Sequence, residues 1–369
     1  MEQVLQNFFG NNIIVPVILA SLPLVFILLY ALVAVLAEIK VSAWMQDRLG
    51  YMRTGPYGLF QPIADVVKLI QKEDTMPAKA DNFLYNLAPY ILFVGSFATF
   101  AAIPFADQFL AANLNIGLFY ILAMSSFSVI GIIMAGWSSN NKYSLFGAMR
   151  SVAQIVSYEV PAAMAILIIA MLAGSLNVQD IIQAQRGGIW NWYIFGGPKQ
   201  TVVATSGLII SGNWMHFIYA PLLIITFLIH YISSLAETNR TPFDIPEAES
   251  ELVAGYHTEY SGMKFALFFM AEYANMFLVS LVGSLLFLGG WQSPFGVFFG
   301  DTIGSPTLSS IEGFLWMAGK GFALVLVMIW LRWTLPRLRV DQLMYMCWKV
   351  LIPFSFGIAL IVGFLKMIL

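Results

Sequence analysis

The sequence predicts an all-α integral membrane protein with about eight transmembrane helices and short amphipathic surface helices in its cytoplasmic loops. Hydrophobic residues make up 59% of the 369 residues, whereas charged residues make up only 10%. The mean hydropathy is +0.79, and apolar runs recur along the chain. A run of about 20 apolar residues is long enough for a helix to cross the hydrocarbon core of a bilayer. Composition and run length therefore indicate a membrane protein rather than a soluble domain.

Eight apolar segments are long enough to form the predicted spans. The first segment is longer than a signal-peptide core and follows no basic region, so we expect it to remain as a permanent span. Together the segments predict one polytopic membrane domain over residues 1–369. They lie near residues 13–37, 83–104, 114–136, 152–174, 216–236, 264–288, 313–333 and 348–368.

Basic residues are concentrated in the loops on one side of the predicted membrane. Of the 18 lysines and arginines, 14 lie in or beside the segments 38–82, 137–151, 237–263 and 334–347. Cytoplasmic loops of membrane proteins carry this excess of positive charge. We therefore expect these four loops to be cytoplasmic and both termini to be periplasmic. The net charge of only −2 argues against nucleic acid as a partner.

The first cytoplasmic loop, residues 38–82, contains two patterns that are typical of amphipathic helices. Apolar residues recur at helical spacing at Val41, Trp44, Met45 and Leu49 and, after a Gly-Pro break, at Phe60, Ile63, Val67 and Ile70. Neither stretch is long enough to span, so we expect both to lie along the membrane surface. Two roles stay open: a positively charged anchor at the interface, or the wall of a lipid-accessible cavity.

The loop between the fifth and sixth spans is unusually acidic. Pro246 suits the first position of a helix and Gly255 suits its C-terminal cap, so we expect a short helix near residues 246–254. The pattern is compatible both with a solvated acidic helix and with an acidic functional site. The stretch, AETNRTPFDIPEAESELVAGYHTEY at residues 236–260, contains six of the 20 acidic residues: Glu237, Asp244, Glu247, Glu249, Glu251 and Glu259.

Several ionisable residues lie inside the predicted spans or at their ends. They are Glu38 and Glu237 at the ends of the first and fifth spans, Glu159 and Glu272 deeper from the same side, and Lys320 within the seventh span. A charge at the bilayer centre costs at least about 2.5 kcal/mol and usually faces a polar cavity or a proton path. Burial and mutual repulsion favour the protonated form of a carboxyl group, which suits such groups to exchange protons. For Glu38, an ordinary interfacial acid is the alternative interpretation.

Other kinds of site are not predicted. The single cysteine, Cys347, excludes a disulfide framework and any iron–sulfur cluster held by thiolates of this chain. No pair of His and Glu has metal-ligand spacing, and the glycine pairs do not form a phosphate loop. We expect His216 and His230 to be structural, whereas His257 is either a pH-sensitive group or a packing residue.

Five segments together resemble one known family. They are similar, in the same order, to segments of the H subunit of the proton-pumping NADH:quinone oxidoreductase, respiratory complex I, which is the bacterial equivalent of the first mitochondrially encoded subunit. The resemblance extends over nearly the whole chain. The segments are VSAWMQDRLG, GLFQPIADVVKLIQKED, SSNNKYSLFGAMRSVAQIVSYEV, AETNRTPFDIPEAESELVAGYHTEYSGMKFALFFMAEY and LRWTLPRLRVDQLMYMCWKV.

The resemblance implies a subunit that is not active alone and has no catalytic residue of its own. Such a subunit lies where the membrane arm meets the hydrophilic arm of the complex, forms much of the quinone chamber, and couples quinone reduction to proton translocation. Quinone is then the substrate. FMN and iron–sulfur clusters are expected in partner subunits, and no cofactor is expected on this chain alone. The expected location is the bacterial inner membrane, in contact with lipid and with subunits of both arms.

Two sets of residues are expected to carry this function. Glu38 and Lys320 enter the first set because they lie within or beside apolar spans, and the other members match acids of the family. The expected proton path comprises Glu38, Glu159, Glu237, Asp244, Glu247, Glu249, Glu251, Glu259, Glu272 and Lys320. The expected quinone chamber comprises Trp44, Arg48, Arg53, Phe60, Asp65, Arg240 and Phe243. No metal-binding residue is expected.

The chain departs from the family pattern at two points, and two alternative functions stay open. It has Ile39 where the family usually has a basic residue, and Tyr51-Met52 where the family usually has Pro-Asn. One alternative is the related proton-path subunit of a membrane-bound hydrogenase or a ferredoxin-linked complex; the complete acidic loop favours the quinone enzyme instead. The other is a secondary transporter, whose usual pattern of two repeated halves with broken helices is absent from the sequence.

Overall fold

The computed structural model describes residues 14–107, 109–197, 202–203, 209–210, 215–246, 249–298, 300 and 304–368. Extended structure within these ranges is limited to a short antiparallel pair, β1 (Val202–Val203) and β2 (Ile209–Ile210). The same ranges contain the α-helices α1 (Ile14–Met45), α2 (Gln61–Gln71), α3 (Asn82–Thr99), α4 (Gly117–Ser138), α5 (Lys142–Ala173), α6 (Val178–Ala184), α7 (Met215–Glu237), α8 (Glu249–Leu252), α9 (Gly262–Phe287), α10 (Pro306–Thr334), α11 (Val340–Tyr345) and α12 (Ile352–Ile368).

Eight helical segments in the described part of the chain are long and apolar enough to cross a membrane. This confirms the predicted all-α fold class and its number of spans. Six of the eight are α1, α4, α5, α7, α9 and α10. The others are α3 with the 3-10 turn that follows it, and a continuous segment in which the π-helix Met346–Leu351 joins α11 to α12.

Two helices extend beyond the membrane on the side of the acidic loop. α1 and α5 each have 32 residues, or about 48 Å at 1.5 Å per residue, which exceeds the roughly 30 Å hydrocarbon core. Residues 41–45 belong to α1, so the prediction of a separate surface helix over 41–49 was wrong. Hydropathy indicates which residues are apolar enough for lipid, but it does not indicate where a helix ends. The amphipathic pattern belongs to the last turns of α1, where the sequence becomes more polar. The second predicted surface helix is present as α2.

The acidic loop forms a shorter helix than predicted. α8 covers only Glu249–Leu252, and residues 247–248 lie outside the described ranges. Gly255 does not cap α8 directly, because it begins the 3-10 turn Gly255–His257. This turn lies against α5: a Cβ added to Gly147 would be 2.7 Å from the Cα of Gly255. The loop is therefore held close to the extended end of α5.

α9 is the central helix of the bundle. In the most apolar stretch of α9, 67% of the residues are buried inside the protein, whereas the corresponding share for α10 is 28%. It contacts α1, α3, α7 and α10. The ring of Phe277 on α9 stacks on Tyr30 of α1, with centroids 4.0 Å apart. A helix that is apolar on all sides is typical of such a surrounded position.

α3 and α4 approach each other more closely than other side chains would allow. A Cβ added to Gly131 of α4 would lie 2.8 Å from the backbone nitrogen of Leu92 on α3. A Cβ added to Gly95 of α3 would lie 3.0 Å from the backbone nitrogen of Ser128 on α4. Small residues at such contacts let helix backbones meet within a membrane.

Lys320 lies on α10, in the half of the bundle away from the acidic loop. Its Nζ donates to the carbonyl oxygens of Leu288, Gly290 and Gln292 at 2.7, 2.9 and 2.8 Å. The same ammonium group lies 4.1 Å from the centre of the Trp192 ring. These contacts fasten α10 to the chain that leaves the end of α9, which is a structural task. Lys320 was expected in the proton path, and no acidic group contacts it in the described residues.

Replacing Lys320 with Met is expected to loosen this connection. Hydrogen bonds to a charged group contribute about 1.5 kcal/mol or more, so we expect amide hydrogen exchange in residues 288–292 to accelerate by about tenfold. The measurement is hydrogen exchange with mass spectrometry on the purified native assembly.

Lys366→Met is the matched control, because Lys366 also donates to backbone carbonyls of a neighbouring helix, at Met171 and Leu172. Its loss should leave exchange in 288–292 unchanged. Unaltered exchange in the Lys320→Met protein, together with lost proton translocation, would contradict the structural role and favour a proton relay.

Candidate functional site

The chain after α7 folds back into the interior of the protein. Residues 238–246 are all buried. Gln154 of α5 holds this segment: its Nε2 lies 2.8 Å from the carbonyl oxygen of Ala236 and 2.9 Å from that of Phe243. The same atom is 3.1 Å from Oδ1 of Asn239, which adopts a positive φ of 51°. The turn that Asn239 makes directs the next side chain, Arg240, into the protein.

Arg240 lies between two carboxyl groups from different helices. Its Nη1 donates to Glu38 of α1, at 2.9 Å from Oε1, and its Nε lies 3.1 Å from Oε1 of Glu272 on α9. The guanidinium carbon is 4.9 Å from the centre of the Tyr273 ring. A buried charge needs such partners because it has lost its contact with water.

The carboxylate of Glu38 also binds two side chains from other helices. Tyr273 donates its hydroxyl to Oε2 of Glu38 at 2.5 Å, and Arg332 at the end of α10 forms an ion pair with Oε1. Together with Arg240, these contacts join α1, α9, α10 and the loop after α7 at one carboxylate. Glu38 is therefore a buried junction, and the interpretation of an ordinary interfacial acid is wrong.

A second ion pair lies beside this junction. Oδ2 of Asp244 accepts from Nη2 of Arg337 at 2.8 Å, and Asp244 interacts electrostatically with Glu272. We call Glu38, Glu272, Asp244, Arg240, Arg332 and Arg337 the charge cluster. It contains three acids and three bases, so its formal charge is balanced. A change of protonation at any one acid unbalances the whole set.

A small cavity lies beside Glu272 and Glu237. The cavity has a volume of about 30 Å³, and its lining includes Glu272 and Glu237. A water molecule needs roughly 10–15 Å³, so this space is large enough for about two. Glu237 interacts electrostatically with Glu159, whose Oε1 accepts from the hydroxyl of Ser126. The in-span acids thus form a series from Glu272 through Glu237 to Glu159.

Two further acids of the loop, Glu251 and Glu259, lie nearer the surface. Glu251 is exposed and forms an ion pair with Arg150 at 2.6 Å. Oε1 of Glu259 accepts from Nδ2 of Asn141, which caps the start of α5, at 2.5 Å. Glu249 is the first residue of α8, and Glu247 lies outside the described residues. The structure thus divides the acids that the sequence grouped together into an inner set and an outer set.

His257 lies in the outer part of the loop, between two aromatic rings. Its ring makes edge contacts with Tyr256 and Phe265, at centroid distances of 4.9 and 5.5 Å. Burial lowers the pKa of His257 to about 4, below the ordinary value near 6.5. The ring is therefore neutral at pH 7. This favours a packing residue over a group that responds to physiological pH.

The predicted chamber residues fall into two groups. Trp44, Arg48, Arg53 and Phe60 are exposed, and Asp65 is half-exposed. Arg240 and Phe243 are buried. Phe243 packs edge-on against Tyr158 at 5.4 Å. The 30 Å³ cavity is not lined by any of these seven residues. The two groups are therefore not joined by that cavity, and the exposed group faces outwards.

Sequence reasoning missed four residues of the site: Arg332, Arg337, Tyr273 and Gln154. The arginines were counted only as part of the positive charge of the cytoplasmic loops. Arg332 lies 294 positions from Glu38, so no local pattern joins them. A useful signal was that Arg332 follows an apolar span at the same membrane level as Glu38. Tyr273 and Gln154 gave no signal, because single polar residues in a span are compatible with ordinary packing.

The described residues contain no group of three or more His, Cys, Asp or Glu side chains that could hold a metal ion. Cys347 is buried, and its thiol donates to the carbonyl oxygen of Ser157 at 3.1 Å. The charge cluster and the neighbouring cavity place carboxyl and guanidinium groups beside space for water. Such a set can bind, release and pass protons.

Comparison with known proteins shows which family this chain is similar to. The model of a family described as NADH dehydrogenase matches residues 18–363. A protein of Chlorobaculum parvum, named as the H subunit of NADH-quinone oxidoreductase, is 55% identical over 342 residues, which cover 92% of this chain and 89% of that protein. The protein of the same name from Chlorobaculum tepidum gives the same identity and coverage. A protein of Cytophaga hutchinsonii with the same name and the number 2 is 44% identical over 355 residues, covering 92% of this chain and 96% of that protein.

Proposed function

This chain belongs to the NADH dehydrogenase family, and we propose that it forms much of the quinone chamber of an NADH–quinone oxidoreductase and couples quinone reduction to proton translocation. In this proposal it is a multi-pass membrane subunit that is not active alone. Quinone is the substrate of the complex, and FMN and iron–sulfur clusters belong to partner subunits. Other subunits of the membrane arm and the hydrophilic arm complete the assembly, which lies in a bacterial inner membrane.

The observation that carries the proposal is the position of Arg240 between Glu38 and Glu272. Arg240 belongs to a loop, whereas the two carboxylates belong to spans. A displacement of the loop towards either carboxylate leaves the other with less positive charge nearby and so favours its protonation. Movement or charge change at the loop is thereby converted into proton uptake or release inside the membrane. This is the chemical requirement for coupling.

The acids beyond this point supply a path for the proton. Glu272 and Glu237 line one cavity with room for water, so a proton can pass between them without direct contact of the carboxyl groups. Glu237 then interacts with Glu159. The surface acids Glu251 and Glu259 lie outside this series. We assign them the task of collecting protons or contacting a partner subunit at the loop.

An exposed aromatic surface at the end of α1 supports the chamber proposal. Trp44 of α1 is 73% exposed, Phe60 directly before α2 is 50% exposed, and α1 and α2 contact each other. Apolar groups at a membrane surface are suited to contact a quinone or an apolar partner face. We propose that this surface is one wall of the chamber and that a hydrophilic-arm subunit provides the opposite wall.

Glu272→Gln is expected to lower NADH:quinone turnover of the complex by at least about tenfold, because a positioned acid or base typically contributes a factor of a hundred or more. Electron transfer from NADH to ferricyanide should be unchanged, since it depends on the partner subunits. Turnover, proton translocation in proteoliposomes and assembly on native gels are measured together.

Glu251→Gln is the comparison from the outer set of acids. Glu251 is exposed and its ion pair with Arg150 is at the surface, where such pairs contribute about 0–1 kcal/mol. We therefore expect a much smaller loss at this position. Full quinone turnover with normal proton translocation in an assembled Glu272→Gln complex would refute the proposed role of Glu272.

Phe60→Ala tests the proposed chamber wall. Loss of the ring should raise the KM for a short-chain quinone by about fivefold, equivalent to roughly 1 kcal/mol, with a smaller effect on kcat. Phe83→Ala is the control, because Phe83 is 72% exposed but lies at the start of α3 and outside the predicted chamber. Equal KM values in the two variants would argue against a chamber wall at Phe60.

The proposed orientation places the acidic loop in the cytoplasm and both termini in the periplasm. Alkaline phosphatase needs disulfides that form outside the cytoplasm. Joined to the C-terminus, it should be active; joined after Arg339, it should be inactive. The opposite pair of activities would reverse the orientation.

A further inference from the structure

A larger cavity lies at the end of the bundle away from the charge cluster. Its volume is about 420 Å³, and its lining includes Asp107, Gln183, Arg186, Gln292 and Ser309. Cavities of roughly 300–1,000 Å³ are typical of sites for small molecules. The proposed function makes no use of this cavity.

The length of α10 indicates the level at which the cavity lies in the membrane. The cavity lies at Ser309, in the first turn of α10, whereas Arg332 of the charge cluster lies in the last turn. The 23 residues between them correspond to about 35 Å of helix, somewhat more than the roughly 30 Å hydrocarbon core. The cavity is therefore at the headgroup level of the opposite leaflet from the charge cluster.

Two opposite charges line the cavity without pairing. Arg186 and Asp107 do not form an ion pair with each other or with another residue in the described ranges. Asp107 accepts from Nε2 of Gln179 at 3.3 Å, which leaves its second carboxylate oxygen for another donor. The cavity thus offers one positive and one negative side chain at separate positions. These suit a ligand that carries a negative and a positive group apart from each other.

The neighbouring surface is aromatic and exposed. Trp190 is 71% exposed and Phe295 is 79% exposed. Trp190 belongs to the 3-10 turn that follows Arg186 in the chain, and Phe295 lies between the lining residues Gln292 and Phe298. Aromatic side chains are enriched where a membrane protein meets the headgroup layer. A ligand with apolar chains can therefore rest on this surface while its polar group enters the cavity.

We propose that this cavity binds the headgroup of a zwitterionic phospholipid that carries a primary ammonium group. Arg186 binds the phosphate through charge-assisted hydrogen bonds, and Asp107 binds the ammonium group. The amide groups of Gln183 and Gln292 offer further donors and acceptors. The acyl chains lie along the aromatic surface. The phosphate of a lipid and free phosphate share the chemistry that Arg186 recognises, so the test separates these sources.

The test uses the purified native complex with photoreactive benzoylphenylalanine in place of Phe295. After illumination, mass spectrometry of the peptide that contains position 295 should reveal an adduct with the mass of phosphatidylethanolamine. Arg186→Gln and Asp107→Asn should each reduce this adduct by at least about fivefold, because each removes one charged contact with the headgroup. Lys366→Gln and Asp341→Asn, which change the same types of charge at positions outside the lining of the cavity, should not reduce it.

Three outcomes would overturn the proposal. The first is an adduct with a peptide of another subunit, which would make the cavity a protein contact. The second is an undiminished lipid adduct in the Arg186→Gln and Asp107→Asn complexes. The third is complete loss of the lipid adduct when inorganic phosphate is added, which would indicate a site for free phosphate; the lipid should be retained because its chains add apolar contacts. None of these measurements depends on quinone turnover, so the result is independent of the proposed function.

Discussion

One buried guanidinium group determines how the interior of this protein is arranged. Arg240 forms ion pairs with Glu38 of α1 and Glu272 of α9, and Glu38 in turn pairs with Arg332 of α10. Breaking a buried ion pair by removing one partner typically costs about 3–5 kcal/mol. Three spans and one loop are therefore joined through Arg240 and the carboxylate of Glu38.

The fold class was predictable because hydropathy reports directly which segments are apolar enough for lipid. The anomalous acids Glu38 and Glu272 were also predictable, since a charge in an apolar span is costly wherever its partner lies. Their common partner was not predictable from periodicity: Arg240 is 202 positions from Glu38, and spacing along the chain carries no information on such contacts. The end of α1 was misjudged for a related reason, because a helix continues after its surroundings change from lipid to water.

Lys320 and the in-span acids show two different surroundings for an ionisable group in an apolar helix. In the sequence Lys320 resembles the in-span acids, because each is an ionisable group in an apolar helix. In the structure its ammonium group binds three carbonyl oxygens at the end of α9, whereas Glu272 and Glu237 line a space with room for water. The cost of removing a charge from water is thus offset in two ways. Backbone carbonyl oxygens stabilise Lys320, whereas ionisable neighbours and space for water surround Glu272 and Glu237.

The contact between α3 and α4 bears on the proton route of the proposed function. A methyl group added to Gly131 would lie 2.8 Å from the backbone of α3, so even one carbon atom does not fit there. A water molecule is of similar size, and a file of waters cannot pass through this contact. The two helices therefore exclude water where Gly131 meets Leu92, and in the proposed function a proton that reaches Glu272 has no route between the backbones of α3 and α4 at that contact.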